Sequence, residues 1–314
     1  MARQEEIYDR MMGCLYGQAV GDALGLGTEF MSKEEVAKYY PEGLRYYGQI
    51  IQDAHRRRWA KGAWTDDTEM MLCLLDAFSP NGFDYRKAAV NFKNWYNGVP
   101  LGIGRHMVKV LMCGDYTDAP FEVSKIVWES TRCNSAANGA LMRTSPIGLW
   151  NRYNQDWVDE ACRLTHYDPR CVISCRIASW LINCAVWTDR MLSKDDVLVM
   201  TTDAELKDWI NMAYSFTDIA ELKLSEQPGI GYTFRTLAAG LWCYWHSRSF
   251  EDGLLAVVNE GGDADTNAAV ACAILGAKFG YHSIPPYYIE NLYAEKEYRA
   301  KCETFVRLAM GEGL

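Results

Sequence analysis

Two short acidic stretches of this chain each combine two carboxylates with a threonine hydroxyl. The residues are Thr65, Asp66 and Asp67 in "WTDDTEMM", residues 64–71, and Asp263, Asp265 and Thr266 in "GGDADTNAAVA", residues 261–271. Carboxylate and hydroxyl oxygens are hard ligands that suit Mg²⁺, Mn²⁺ or Ca²⁺ better than zinc. If the two stretches meet in the fold, their four carboxylates and two hydroxyls suffice for two metal ions about 3.5–4 Å apart.

Both stretches lie where a helix is expected to begin. Apolar residues with the spacing of one helix face follow Asp67, namely Met70, Met71, Leu74, Leu75 and Phe78. Thr266 is expected to start the second helix, over residues 267–280, after the turn that two glycines allow. Ordinary capping is the alternative, because threonine at the N-cap and aspartate in the first turn stabilise a helix without any ligand.

The N-terminal helix carries a glycine at every fourth position. Gly13, Gly17, Gly21 and Gly25 lie on one stripe of that helix. Each glycine costs roughly 0.5–1 kcal/mol relative to alanine in a helix. The stripe therefore predicts that the backbone of another helix approaches closely and offsets this cost.

Helical periodicity dominates the rest of the chain. Residues 173–187 and 197–216 are also predicted to be helical, whereas residues 44–50 form a short strand or a loop. No repeat and no linker stands out. The sequence predicts a single all-α domain over residues 1–314, with roughly a dozen helices and functional loops between them.

Composition narrows the class of protein. Hydrophobic residues make up 49% of the chain, which permits a large core, and the net charge of −9 argues against non-specific nucleic-acid binding. The N-terminal residues lack the apolar segment of a signal peptide, and no apolar run is long enough to span a bilayer. Eleven cysteines without a C-x-x-C pair favour a reducing cytoplasm over a disulfide framework.

Five segments together resemble the ADP-ribosylglycohydrolase family in order and spacing. They are "GCLYGQAVGDALGLGTEF" from residue 13, "WTDDTEMML" from residue 64, "NGALMRTSPIGL" from residue 138, "THYDP" from residue 165 and "GGDADTNAAVACAILGAKFG" from residue 261. The resemblance extends over about residues 10–290. It implies a compact all-α fold and a centre of two Mg²⁺ or Mn²⁺ ions, with all six residues of the acidic stretches as ligands.

The resemblance also implies roles for residues outside the acidic stretches. Glu29 matches a family glutamate that lies near the metals on a mobile loop, and it joins Asp66 and Asp67 as a candidate catalytic carboxylate. Residues 135–143 resemble the loop that holds the diphosphate and distal ribose, and "LGIGR", residues 101–105, resembles a second glycine-rich loop. The implied substrate-binding residues are Gly102, Gly104, Ser135, Asn138, Gly139, Met142, Arg143 and His166.

Two of these residues have an ordinary structural alternative. Arg143 would contact phosphate or form an internal ion pair, and His166 would touch the ligand or hold a turn. The basic stretch "HRRRW", residues 55–59, has no consistent counterpart in the family. It is expected to be a solvated loop, with contact to a modified partner or a phosphate as the alternative.

The implied reaction is hydrolysis of an ADP-ribosyl linkage at the anomeric carbon of the distal ribose. The cations would hold the ribose hydroxyls and activate the attacking water, and nearby carboxylates would stabilise the positive charge that develops on the sugar. The substrate is an ADP-ribosylated protein or small molecule, ADP-ribose is the product, and an arginine N-glycoside is the favoured linkage. Alternatives are a serine or nucleobase linkage, a non-catalytic ADP-ribose-binding or structural member, and an unrelated phosphoesterase.

Overall fold

Helices account for most of the computed structural model, which describes residues 2–188 and 190–311. In these ranges the chain forms sixteen α-helices and six short 3₁₀ helices. The α-helices are α1 (Ala2–Gly25), α2 (Lys33–Tyr39), α3 (Asp66–Leu75), α4 (Tyr85–Asn97), α5 (Arg105–Leu111), α6 (Pro120–Ser130), α7 (Ser145–Leu149), α8 (Gln155–Arg163), α9 (Pro169–Trp187), α10 (Lys194–Leu198), α11 (Ala204–Ser215), α12 (Thr233–His246), α13 (Phe250–Val258), α14 (Ala264–Phe279), α15 (Pro286–Glu290) and α16 (Glu295–Ala309).

The glycine stripe of α1 packs directly on the backbone of α14. A Cβ atom added at any of the four stripe glycines would lie less than 3.0 Å from a backbone carbonyl of that helix. The carbonyls belong, in the order of the stripe, to Gly276, Cys272, Ala268 and Ala264, so the two helices run antiparallel. This confirms the predicted close approach. Because α14 is almost entirely buried and α1 is buried from Met11 to Gly25, the two helices form the centre of the fold.

The all-α prediction is confirmed, and the strands found within the described ranges form one small hairpin. Strands β1 (Phe78–Ser79) and β2 (Gly82–Phe83) pair antiparallel. Phe78, predicted on the face of α3, lies instead in β1. Helix α3 ends at Leu75 because the chain turns into the hairpin, whose Gly82 has a φ of 101° that favours glycine.

Other boundaries also differ from those predicted. Residues 197–216 contain the end of α10 and then α11, because the Asp203 carboxylate accepts from the Leu206 amide and caps a new helix. Residues 44–50 form a loop with one 3₁₀ turn over Tyr47–Gln49. The structure contains more helices than the dozen predicted. Many of the additional helices are only five to seven residues long, too short for a clear periodic pattern.

One large hydrophobic cluster joins these helices into a single compact domain. Its buried members run from Ile7 in α1 to Ala309 in α16. None of the helices in residues 2–188 and 190–311 is long and apolar enough to cross a membrane. A cleft opens beside the N-termini of α3 and α14.

Candidate active site

The structure brings the two acidic stretches together at one cleft of about 910 Å³. The six proposed metal ligands all line it, namely Thr65, Asp66, Asp67, Asp263, Asp265 and Thr266. The N-terminus of α3 brings the first three residues and that of α14 brings the others. Sequence reasoning required that the two helix starts meet, and in the structure they do.

The start of α3 is capped by a carboxylate from another helix. Asp22 of α1 accepts the backbone amides of Thr65 and Thr68 at 2.9 and 3.0 Å, and both threonine hydroxyls lie within 2.9 Å of its oxygens. Thr65 occupies the N-cap position, but its side chain makes no capping hydrogen bond. The ordinary capping alternative is therefore wrong for Thr65. Because Asp22 satisfies the amides, Asp66 and Asp67 are free to face the cleft.

The start of α14 lies earlier than predicted. The helix begins at Ala264, so Asp265 and Thr266 belong to its first turn and Asp263 is the N-cap residue, without a capping hydrogen bond from its side chain. Gly261 and Gly262 precede it with φ of 73° and 70°. Side chains there would also collide with the backbone of Met31 and Leu224. Glycine is thus required both for the turn and for the close approach of its neighbours.

The acidic cluster is buried and strongly self-repelling. Ligand oxygens of Glu29, Asp263 and Asp265 lie within 4.8 Å of one another. Burial, and after it the neighbouring carboxylates, raise the pKa of Asp66 to about 7. Burial and a neighbouring carboxylate likewise raise the pKa of Asp263 to about 6, and burial with several neighbours places the pKa values of Asp67 and Asp265 well above the usual range.

These donors fit a hard divalent cation. Asp67 Oδ1 is buried and has no hydrogen-bond partner among the described residues. Leaving a buried acceptor unpaired is costly, and so is concentrating several carboxylates in one site without positive charge. A cation held by Asp67 and the neighbouring oxygens would remove both costs. The oxygen-only donor set suits Mg²⁺ or Mn²⁺.

Glu29 faces this cluster from the loop that follows α1. Its carboxylate is 9% exposed, and Oε2 lies 2.6 Å from Nε2 of His55. The next residue, Phe30, donates its amide to the carbonyl of Gly262 at 2.6 Å, and Gly262 donates to Met31 at 2.8 Å. Two backbone hydrogen bonds therefore fasten the Glu29 loop to the turn that precedes α14.

The loop of residues 135–139 forms the opposite side of the cleft. Asn138 Nδ2 donates to Asp263 Oδ2 at 2.6 Å, which orients one carboxylate of the cluster. Gly139 packs against His166, whose Cε1 would lie 3.0 Å from an added Cβ. Ser135 Oγ lies 3.1 Å from Nδ1 of His106, a residue that sequence reasoning missed. His106 Nε2 lies 2.8 Å from the Thr165 carbonyl and donates to it, so Nδ1 accepts the Ser135 hydrogen.

Arg143 is the proposed substrate-binding residue that does not line the cleft. Its side chain is 0% exposed beneath the loop and stacks on Phe92, 4.4 Å from the ring centroid. It donates to the carbonyls of Gly139 and Ala161 and to Thr165 Oγ1. This position supports a structural role. The alternative of an internal ion pair is not what the structure shows either, because the acceptors are all uncharged.

A hydrogen-bond relay connects Arg143 to the cleft through His166. The guanidinium only donates, so Thr165 Oγ1 accepts from it at 2.6 Å and donates its own hydrogen to His166 Nδ1 at 2.8 Å. Burial lowers the pKa of His166 well below its usual value, which keeps the imidazole neutral. Nε2 then carries the ring hydrogen, on the side of the ring that packs against Gly139.

The remaining proposed residues, Gly102, Gly104 and Met142, also line the cleft. Gly102 lies close to Asp66 Oδ1 and to the indole of Trp59, so a side chain there would press on both. Gly104 has open space around it and is the N-cap residue of α5. Met142 also lines the cleft, and its carbonyl accepts from Gln18 at 2.9 Å.

The basic stretch over residues 55–59 is not the solvated loop that was expected. Arg56 is only 4% exposed, and His55, Arg58 and Trp59 line the cleft. Sequence reasoning also missed Asp22. The signal for Asp22 was a carboxylate next to the glycine stripe of a predicted helix. The basic stretch itself marked His55, whereas no local signal marked His106.

The helical fold and the buried acidic cleft define a class of protein that comparison with known families identifies. The family model described as ADP-ribosylglycohydrolase matches residues 3–312, and the chain belongs to this family. Membership places it among the hydrolases that cleave ADP-ribosyl linkages.

Individual relatives extend over nearly the whole chain. It is 27% identical to "ADP-ribosylarginine hydrolase Tri1" of Pseudomonas putida (strain GB-1), over 92% of this chain and 75% of the relative. It is also 27% identical to "ADP-ribosyl-[dinitrogen reductase] glycohydrolase" of Rhodospirillum rubrum, over 96% and 97%. A solved structure titled "ADP-ribosylglycohydrolase-related protein complex" matches with a TM-score of 0.76 and 28% identity, over 98% of this chain and 100% of the other.

Proposed function

We propose that this cleft hydrolyses the glycosidic bond between ADP-ribose and an acceptor, with two divalent cations, Mg²⁺ or Mn²⁺, as cofactors. The observation that carries the proposal is the buried carboxylate cluster, in which Asp67 Oδ1 has no partner among the described residues. Thr65, Asp66 and Asp67 from one side and Asp263, Asp265 and Thr266 from the other would hold the cations. When bound, the cations would supply positive charge that orients the ribose hydroxyls and makes water more acidic.

The residues of the chain supply the other parts of the reaction. Glu29, Asp66 and Asp67 are the proposed catalytic carboxylates, which orient the attacking water, accept its proton and stabilise the positive charge on the departing sugar. Ser135, Asn138 and the backbone around Gly139 lie across the cleft. We propose that they hold the distal ribose and the diphosphate, with His166 Nε2–H as a donor beside Gly139.

An arginine N-glycoside is the proposed linkage. Its support is the name of the Pseudomonas putida relative, which is called an ADP-ribosylarginine hydrolase. A relative called "ADP-ribosylhydrolase ARH3", from Gallus gallus, is 24% identical over 92% of this chain and 90% of its own length.

All eleven cysteines are unpaired, which supports the proposal of a reducing cytoplasm.

The test is release of free ADP-ribose from an arginine-ADP-ribosylated peptide, with Mg²⁺, with Mn²⁺ and with EDTA. Asp265→Ala is expected to abolish release while the far-ultraviolet circular dichroism stays that of a helical protein. Asp208→Ala is the matched control, because Asp208 is an exposed aspartate on α11, away from the cleft. Wild-type turnover in Asp265→Ala, or full activity in EDTA, would contradict the metal assignment.

The acceptor is tested in parallel. Serine-linked and nucleobase-linked ADP-ribose are offered under the same conditions, and ADP-ribose binding is measured by calorimetry. Release from a serine or nucleobase conjugate alone would overturn the arginine assignment and keep the hydrolase. Binding of ADP-ribose without release from any of the three conjugates would indicate a non-catalytic member of the family.

A further inference from the structure

Residues 55–58 contact the Glu29 loop, although these residues lie outside both acidic stretches. We propose that Arg56, His55 and Arg58 are positioning residues that hold Glu29 against the carboxylate cluster, Arg56 through the backbone and the other two through the side chain. The proposal rests on the proposed function, in which Glu29 is a catalytic carboxylate. It concerns residues of this chain that the resemblance to the family did not assign.

Arg56 holds the backbone of the Glu29 loop. Its Nε lies 3.1 Å from the carbonyl of Leu26 and 2.9 Å from that of Gly27, and Nη2 donates to the Glu29 carbonyl at 2.5 Å. Asp53 accepts from Nη1 at 2.5 Å and from the Arg56 amide at 2.8 Å. A buried guanidinium with these acceptors fixes the path of the chain from the end of α1 to Glu29.

His55 and Arg58 hold the carboxylate itself. Arg58 Nη2 lies 2.7 Å from His55 Nδ1, and His55 Nε2 lies 2.6 Å from Glu29 Oε2. A guanidinium only donates, so Nδ1 must be the accepting nitrogen and Nε2 must carry the hydrogen. The hydrogen bonds therefore run in one direction, from Arg58 through His55 to Glu29, and end on an acceptor.

The donors of this relay are themselves held in place. Arg58 also donates to the carbonyls of His55 and Leu101, at 3.1 and 3.2 Å, and lies 4.3 Å from the centroid of the Trp59 ring. The imidazole of His55 packs against Phe30 and Trp59, with 5.3 Å between ring centroids in each pair. Packing and hydrogen bonds thus leave the imidazole little freedom to turn away.

Electrostatics explains why Glu29 needs such support. Its ligand oxygen lies within 4.8 Å of those of Asp263 and Asp265, so like charges repel it toward solvent whenever no cation is bound. A hydrogen bond from His55, polarised by a cationic guanidinium, opposes that repulsion on the far side of the carboxylate. Without this hydrogen bond, the Glu29 carboxylate would be held less firmly at the cluster.

Four variants test the side-chain part of the proposal on the wild-type protein's best ADP-ribosyl substrate. His55→Leu and Arg58→Met break the relay, and His55→Gln retains an amide donor near the position of Nε2. Arg57→Ala is the matched control, since Arg57 lies in the same stretch with the same charge and its side chain is exposed. The measurements are kcat and KM, ADP-ribose affinity by calorimetry, melting temperature, and hydrogen exchange of the amides of residues 26–30.

His55→Leu and Arg58→Met are expected to lower kcat roughly 10–100-fold, the usual effect of removing an orienting partner, with ADP-ribose affinity and melting temperature unchanged. His55→Gln should recover much of kcat, and Arg57→Ala should behave as wild type. Wild-type kcat in His55→Leu would overturn the proposal, as would a loss in His55→Leu that His55→Gln does not reduce.

Hydrogen exchange separates this proposal from the proposed function. If the wild type releases no ADP-ribose from any conjugate, the proposed function fails, but the exchange experiment still reads out the loop. Faster exchange of residues 26–30 in an Arg56→Gln variant, beside unchanged exchange in Arg57→Ala, would then support the backbone part of the inference. Equal exchange in both variants would refute it.

Discussion

Asp22 is expected to stabilise the protein and to organise the acidic cluster from outside the cleft lining. We predict that Asp22→Ala lowers the free energy of unfolding and impairs turnover, although Asp22 is not a proposed ligand. In the structure it is the acceptor for the backbone amides of Thr65 and Thr68 at the start of α3. Without it, the turn that carries Asp66 and Asp67 loses its cap.

The magnitude follows from the groups left without partners. Each of the two buried amides costs about 1–3 kcal/mol when it loses its acceptor, or about 2–6 kcal/mol together. The hydroxyl of Thr65 retains an acceptor, because Asp67 Oδ2 lies 3.0 Å away. Part of the loss is offset, since burial raises the pKa of Asp22 to about 7 and its charge is therefore itself disfavoured. We expect a net loss of about 2–4 kcal/mol.

The assay is urea unfolding followed by far-ultraviolet circular dichroism, in EDTA and in Mg²⁺. Asp76→Ala is the control, because Asp76 is the C-cap residue at the opposite end of the same helix. The Asp76 carboxylate forms an exposed ion pair with Lys301 at 2.6 Å, and such pairs contribute about 0–1 kcal/mol. A free energy of unfolding for Asp22→Ala within that range of the wild type would refute the assignment of Asp22 as the cap of α3.

Three further predictions concern packing and charge. Gly21→Ala should cost about 1–3 kcal/mol of stability by calorimetry, because its Cβ would collide with the backbone of α14, whereas Gly48→Ala, with nothing within 4 Å, should be neutral; equal effects would argue against close packing. Asp67→Asn should raise the melting temperature in EDTA and remove stabilisation by Mg²⁺, because burial disfavours its charge; a lower melting temperature would contradict this. The raised pKa values of Asp66 and Asp263, about 7 and about 6, favour the folded state at low pH and lose that contribution as pH rises through this window. Since protons compete with the cation, the increase in melting temperature caused by Mg²⁺ should be larger at about pH 8 than at about pH 5.5, and the reverse order would refute the competition.

Local sequence patterns predicted the helical class and the residue types at the cleft. The stripe from Gly13 to Gly25 indicated a close helix contact, because repeated glycine in a helix has few other uses. The stripe carries no information about its partner, however, and α14 was identified only by the fold. Boundaries such as the start of α11, which the Asp203 carboxylate caps, depended on side-chain hydrogen bonds that spacing does not show.

The residues that sequence reasoning misjudged owe their surroundings to distant parts of the chain. Arg56 appeared to be one charge in a solvated basic run, yet the carbonyls that bury it belong to the loop after α1. Arg143 appeared well placed to contact a phosphate. Its guanidinium lies instead beneath the loop, where it donates hydrogen bonds to Thr165 and Ala161. In both cases burial depends on long-range contacts, which composition and periodicity do not determine.

The antiparallel contact between α1 and α14 has a consequence for how the protein is made. These helices are far apart in the chain. Asp22 on α1 organises one half of the site, and the other half begins with Asp263, just before α14. Joining such distant segments closes a long loop, which costs conformational entropy and slows folding. On the ribosome, α1 emerges long before α14 exists to cover its glycine stripe, so the apolar residues of the nascent helix stay uncovered until then. The acidic cluster can therefore form only late in synthesis, after the C-terminal half has emerged.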